Sequence, residues 1–332
     1  MRNVSLQQSL ALLVASGIVI ALAACGGDDE GDGAGGSAGG GVSGSVRIDG
    51  SSTVGPLSEV IAEGFSDANP DAKVTVGTSG TGGGFERFCA GETDINDASR
   101  AVKEEEVELC GDGGVKYEEI TVATDALTIV VHADNPVDCL TIPQLNQIWD
   151  RDSEVENWSE IEGLEVDFDE RLDLFGPGTD SGTFDYFSDV VNGGEGVHRV
   201  HYNNAGEDDS ATVLGVRGTL GGMGYFGFSF FDENREDLKA LEVENPETGE
   251  CVAPSIETAQ SGDYAPLSRP LFVYPSAAAL ERPEVNAFLE FYLANLDEAA
   301  GQAGFIALTE EQLAESQEAL DRIVGADQQG SA

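Results

Sequence analysis

The chain has 332 residues, of which 62 are acidic and 16 basic, giving a formal net charge of −46. So few cations leave no basic patch able to release counterions from a phosphate backbone, which argues against nucleic acid as a partner. Apolar residues make up 40% of the sequence, enough for a sizeable core, and the length allows two packed domains behind an N-terminal leader.

The leader comes first. Arg2 is followed by an apolar run from Leu10 to Ala24, too short and wrongly flanked for a stable span, so residues 1–24 read as an export signal. The run ends in "LAAC", Leu22 to Cys25, which resembles a bacterial lipobox and implies that Cys25 becomes the lipidated first residue. Residues 25–44 are so rich in Gly and Asp that they bury nothing and read as a flexible tether. Together these features predict a domain held at the extracytoplasmic face of the cell membrane by its lipid alone.

Four cysteines remain: Cys89, Cys110, Cys139 and Cys251. An even number in an exported chain favours disulfides. Three pairings exist, and the favoured one is Cys89–Cys110, closing a local loop, with Cys139–Cys251, tying the start of a long segment to its end. No CxxC is present, and His198 and His201 read as part of an exposed Gly-rich loop without ligand partners, so neither a metal nor a cofactor is expected.

In chain order, a strand Val46 to Ile48 leads through "GSSTVGP" into a helix with Leu57, Ile61 and Phe65 on one face, Ser52 or Thr53 as N-cap and Pro56 in its first turn. A strand Lys73 to Val76, a Gly-rich turn and a helix near Phe85 repeat the plan. A third instance runs from a strand Leu172 to Phe175 through "GPGTDSG" to a helix with Phe184, Phe187 and Val191 on one side. Such turns lie at the carboxyl ends of strands, where glycine lets backbone approach a ligand and the helix start offers unpaired N–H groups. Three of them converging would hold an anion without a metal. "GEDDSATVLGVRG" reads as a helix capped by Asp209 or Ser210, and "GGMGYFGFSFF" as a core strand.

Two β-rich runs, Ile120 to His132 and Ser268 to Ser276, read as crossovers between domains. The expectation is an α/β chain with one lobe from residues 45–122 plus 269–324, another from 124–268, and a disordered tail at 325–332. The two crossovers would form a hinge, placing the first two turns opposite the third across a cleft.

"GSSTVGPL", "TSGTGGGFERFCAGETDINDASR", "GPGTDSGTFDYF" and "GGMGYFGFSFF" resemble, in order and spacing, the phosphate-binding protein of the bacterial phosphate ABC transporter. The resemblance spans about Ser45 to Val324. It implies a type II periplasmic-binding-protein fold, a monomer that is not an enzyme, and delivery of inorganic phosphate to the permease subunits. By position it implies Ser52, Thr53 and Val54, then Thr78, Ser79 and Gly80, then Ser181, Gly182 and Thr183 as phosphate ligands. Two departures stand out: Pro177 occupies the place of an arginine, and "DASR" ends in Arg100 where the family has an aspartate. Arg100 is therefore the candidate cation, because guanidinium can pair two phosphate oxygens. Asp180, or else Asp97, is the candidate acceptor of a phosphate proton.

The competing readings are a binding protein for sulfate, molybdate or arsenate, and a hydrolase using Ser181. "GTDSG" places the serine fourth rather than third, against the nucleophile-elbow pattern.

Overall fold

The computed structural model describes residues 41–330 apart from residue 207, with side chains as far as residue 325. The export signal, Cys25 and the first part of the tether lie outside the described residues.

The first half of the chain builds one end of a sheet. Strand β1 (Gly44–Gly50) pairs in parallel with β2 (Ala72–Val76) on one side and β3 (Ile95–Ala98) on the other. The connections are helical: α1 (Gly55–Ala68) between β1 and β2, and α2 (Thr81–Cys89) between β2 and β3. Leu57, Ile61 and Phe65 are buried on α1, as a four-residue spacing dictates. Helix α3 (Glu104–Gly113) then leads to β4 (Ile120–His132), a strand of 13 residues that the first core cannot cover alone.

β4 carries the chain into the second lobe. There follow β5 (Cys139–Leu140), α4 (Ile142–Trp149), β6 (Asp173–Gly176), α5 (Gly182–Asn192), β7 (Asn203–Asn204) and α6 (Asp209–Arg217). Next come β8 (Gly222–Gly227), α7 (Phe228–Asn234), β9 (Leu238–Ala240), β10 (Glu242–Glu244), β11 (Cys251–Val252) and α8 (Ile256–Ser261). The return is β12 (Ser268–Pro275), followed by α9 (Ala277–Leu280), α10 (Pro283–Ala294), α11 (Leu296–Gln302) and α12 (Glu310–Gly330).

The main sheet runs β2-β1-β3-β12-β4-β8-β6-β7, with β9 also pairing with β4. β12 is antiparallel to both β3 and β4, and β4 is antiparallel to β8. The first half of β4 thus pairs with β12 through Ala126, and its second half with β8 from Leu127. The two crossing strands are hydrogen-bonded to each other. Two large cores lie on either side of this seam: one gathers residues 46–123 with 271–323, the other residues 127–267. The molecule is therefore two-lobed, with its hinge in β4 and β12.

The structure bonds Cys89 to Cys110 and Cys139 to Cys251, with Cα separations of 4.3 and 6.1 Å. The first joins α2 to α3; the second joins β5 to β11, which share a small sheet with β10.

Several local expectations are corrected. "GGMGYFGFSFF" is a strand only as far as Gly227, and Phe228 begins α7. The cap of α6 is Asp208, whose side chain accepts from the Ser210 N–H. Neither Ser52 nor Thr53 caps α1: the cap position is Val54, which makes no side-chain cap bond, and Ser51 Oγ accepts from the Thr53 and Val54 N–H groups ahead of the helix. Residues 325–330 continue α12 rather than forming a tail.

Candidate anion site between the lobes

The first turn is fixed from below. Ser51 N–H donates to the Asp97 carbonyl and Gly55 N–H to the Ser51 carbonyl, at 2.9 and 3.0 Å. Ser51 Oγ accepts from Thr53 and Val54 at 3.2 and 3.4 Å, which consumes two N–H groups the sequence leaves open for a ligand. Ser52 is exposed, Thr53 half-buried and Val54 buried.

The second turn leans on the first. Gly80, at φ 81°, donates its N–H to the Gly50 carbonyl at 2.8 Å, in a backbone region that side chains rarely adopt. Ser79 N–H donates to Asp49 Oδ1 at 2.9 Å, and Asp49 also accepts from Gly50 N–H and pairs with Arg87. Burial opposes charge on Asp49, but these donors outweigh it and hold the carboxyl below its ordinary range.

The third turn belongs to the other lobe. Gly178 N–H donates to the Gly206 carbonyl, Ser181 N–H to the Gly178 carbonyl, and Tyr202 OH to the Pro177 carbonyl. Ser181 caps α5: its Oγ accepts from Thr183 N–H at 3.3 Å while the residue is only 7% exposed. A side chain that accepts from the helix start keeps its own O–H free to donate outward.

These turns are not equivalent in the assembled molecule. The first and third meet: a β-carbon on Gly182 would stand 3.3 Å from Thr53 Oγ1. Ser52, Thr53, Ser181, Gly182 and Thr183 line one cavity of about 400 Å³, which Asp125, Asp209 and Glu233 also line. Thr78, Ser79 and Gly80 do not line it. Asp180 is exposed and does not line the cavity. Arg100 does not reach the cavity either, because Glu106 takes its guanidinium through two bonds of 2.8 and 2.6 Å. Asp97 lies beneath the first turn, where burial pushes its carboxyl up to about 8, with Asp49 adding to the effect and Ser58 opposing it.

The cation next to the cavity is one the sequence reading passed over. Arg269, on β12, donates from Nη2 to Thr53 Oγ1 at 3.1 Å and to Asp125 Oδ2 at 3.2 Å. Its guanidinium carbon stands 3.4 Å from the centre of the Tyr186 ring on α5. One side chain on a hinge strand therefore touches the first lobe, the second lobe and the other hinge strand. Asp125, on β4, is 7% exposed; burial raises its carboxyl, while Arg269 and the Ala126 N–H pull it back. A signal for both was present: each is a lone charge among the apolar and uncharged residues of a crossing strand.

His198 lies behind the third turn and is buried at 4% exposure, not displayed on a loop. Its ring packs on Phe184, Tyr202 and Trp149, with centroids 4.7–5.1 Å away. Nδ1 faces the Arg199 carbonyl at 2.9 Å, so it carries the hydrogen, and Nε2 accepts from Tyr225 OH at 3.0 Å. Burial lowers its pKa to about 4, the Arg199 carbonyl opposing. Among the described residues, no group of three or more His, Cys, Asp or Glu could hold a metal ion, and no helix is long and apolar enough to cross a membrane.

Two lobes joined by paired hinge strands, each presenting hydroxyls to a shared cavity, define a two-lobed binding protein. Comparison with known proteins agrees. Residues 35–295 match the model of the PBP superfamily domain. The protein SphX of Synechococcus elongatus is 45% identical over 265 residues, covering 79% of this chain and 77% of its own. The phosphate-binding protein PstS of Staphylococcus saprophyticus is 37% identical over 315 residues, 94% of each chain. The crystal structure of a possible phosphate binding protein from Planctomyces limnophilus superposes with a TM-score of 0.81 at 40% identity, covering 85% of this chain and 99% of that one. The chain belongs to the PBP superfamily and, within it, to the family of SphX and PstS.

Proposed function

We propose that this protein binds inorganic phosphate in the cavity between the first and third turns and delivers it to the permease of an ABC transporter. The observation that carries the reading is the Arg269–Thr53 contact at the point where Thr53 and Gly182 meet across the lobes. Because Thr53 Oγ1 accepts from a guanidinium, its own O–H points onward as a polarised donor. Ser181, polarised in the same way by the start of α5, supplies a donor from the opposite lobe. Thr183 and Ser52 complete a set of neutral donors, and Asp125 serves as the acceptor that phosphate satisfies with a proton and sulfate cannot. Arg269 and Asp125 take the roles that the sequence suggests for Arg100 and for Asp180 or Asp97.

The names of the relatives support the ligand, and the lipobox-like "LAAC" supports a lipid anchor at Cys25 on the extracytoplasmic face. The protein acts as a monomer and without catalysis: His198, behind the turn that carries Ser181, is engaged by the Arg199 carbonyl and Tyr225 rather than poised as a base.

Titration calorimetry with phosphate against sulfate, molybdate and arsenate tests the reading. Phosphate should bind and sulfate should not displace it. Tight sulfate or molybdate binding would move the protein to the other oxyanion class.

A further inference from the structure

The hinge strands carry different residues on their two faces. Arg269 and Asp125 are paired in register across β12 and β4 and turn toward the ion cavity. The next pair, Pro270 and Thr124, points the other way, because side chains alternate along a strand. Behind the hinge these two floor a second cavity, of about 470 Å³. Its walls come from different lobes: α8, with Ser261, on one side, and α12, with Glu315, on the other. Ser268 Oγ, also on the floor, is buried with no hydrogen-bond partner among the described residues. At one end Gln260 Nε2 reaches from α8 to the Ala307 carbonyl, just ahead of α12, at 2.7 Å. A groove continuous with this cavity is lined by Glu257 of α8 and by Glu311 and Glu315 of α12, all three exposed.

In front of the hinge the lobes are closed, since a β-carbon on Gly182 would stand 3.3 Å from Thr53 Oγ1. A rotation that parts them about β4 and β12 drives α8 toward α12 at the back, so the rear cavity is the volume that opening consumes. From this geometry we propose that the rear cavity sets the balance between the open and closed forms. A side chain that fills it holds the cleft shut, and a force that draws α8 to α12 holds the cleft open. Glu257 on one wall and Glu311 and Glu315 on the other resist that approach, and their repulsion favours closure. When the competent form is only partly populated, affinity falls by that fraction. The rear cavity therefore tunes ligand affinity from the far side of the sheet, without touching the ion.

Two substitutions at exposed positions of α8 should act in opposite directions, read by phosphate calorimetry and by small-angle X-ray scattering of the ligand-free chain. Ser261→Trp adds bulk between the walls at no change in charge. Its ligand-free radius of gyration should shrink toward that of the phosphate-loaded parent, and phosphate should bind tighter by about fivefold. Ser261→Ala, which loses the hydroxyl and adds no bulk, should match the parent in both measurements. Glu257→Lys turns repulsion into attraction, so the ligand-free chain should expand and phosphate should bind about threefold more weakly at low salt. That loss should fade in about 1 M inert salt, where charges are screened within roughly 3 Å. Unchanged affinity and radius in both variants, or tighter binding by Glu257→Lys, would overturn the proposal. The calorimetric readout rests on the phosphate reading above, and the two fail separately. A parent chain that binds no phosphate overturns that reading, while scattering of the ligand-free variants still decides whether the rear cavity governs the hinge.

Discussion

The second turn and the third turn look alike in sequence, Ser/Thr and Gly between a strand and a helix, yet they end in opposite conditions. In the second, Ser79 N–H is taken by Asp49, Gly80 N–H by the Gly50 carbonyl, and nearby Arg100 by Glu106. In the third, Ser181 uses its oxygen as an acceptor for its own helix and keeps its proton for the cavity. The difference teaches that a strand–turn–helix pattern marks a place where an anion could bind, and that neighbouring acceptors decide whether donors remain available. The same holds for the two arginines. Arg100 is neutralised by a partner six residues away, whereas Arg269 is aimed by a hinge strand at both lobes.

The largest effect should come from breaking that second arginine. Arg269→Ala leaves Asp125 buried without its partner, and phosphate affinity in calorimetry should fall by about 100-fold or more, with a lowered melting temperature. Arg100→Ala, measured in the same way, should change affinity by less than about threefold, since its guanidinium belongs to Glu106. If Arg100→Ala abolishes binding and Arg269→Ala does not, the contrast between the two is reversed.

Next, Ser181→Ala removes one polarised donor and should weaken phosphate by roughly tenfold, whereas Ser79→Ala should leave affinity within about twofold. Equal losses would mean that both turns reach the ion.

Acid should also separate the two regions. His198 is neutral in the folded protein down to about pH 4, against an ordinary value of 6.5, so the unfolded chain binds the extra proton between these limits. Its stabilisation is complete above 6.5 and is lost as pH falls toward 4, on the order of 3 kcal/mol. Because His198 packs on Phe184 and Phe187 of α5, the third turn should loosen first. The second turn leans on Asp49, whose carboxyl is held below its ordinary range by the Ser79 and Gly50 N–H groups and Arg87, and should persist further into acid. Hydrogen exchange at about pH 5 checks this: earlier loss of protection around residues 77–89 than around 181–192 would contradict it.

The smallest effect concerns the surface. A net charge of −46 repels an incoming anion, and salt screens that repulsion within roughly 8–10 Å. Association of phosphate by stopped flow should therefore speed up a few-fold with added inert salt. A rate that falls with salt would show that local donors already dominate the approach.

Much of the architecture was legible because it depends on local rules. The four-residue spacing of Leu57, Ile61 and Phe65 fixes a helix face, and the two long β-rich runs announce the hinge strands. Only part of the site could be read in this way. Arg269 and Asp125 lie 144 residues apart and meet only because β4 pairs with β12, a register that no local pattern encodes. His198 misled for the converse reason: glycines around it suggest exposure, while Trp149, Phe184 and Tyr225, distant in sequence, close over it. The cap of α1 falls on Val54, past both hydroxyl-bearing candidates, while Ser51 Oγ accepts from the Thr53 and Val54 N–H groups.

The Cys139–Cys251 bond has a mechanical consequence. It spans 112 residues and joins the strands through which the chain enters and leaves the small sheet of the second lobe. Tension applied between the chain ends would cross from β5 to β11 through the sulfurs, leaving α5 and the Ser181 turn outside the load path. A protein pulled by its ends would thus stretch its hinge while half of its binding surface bore no force.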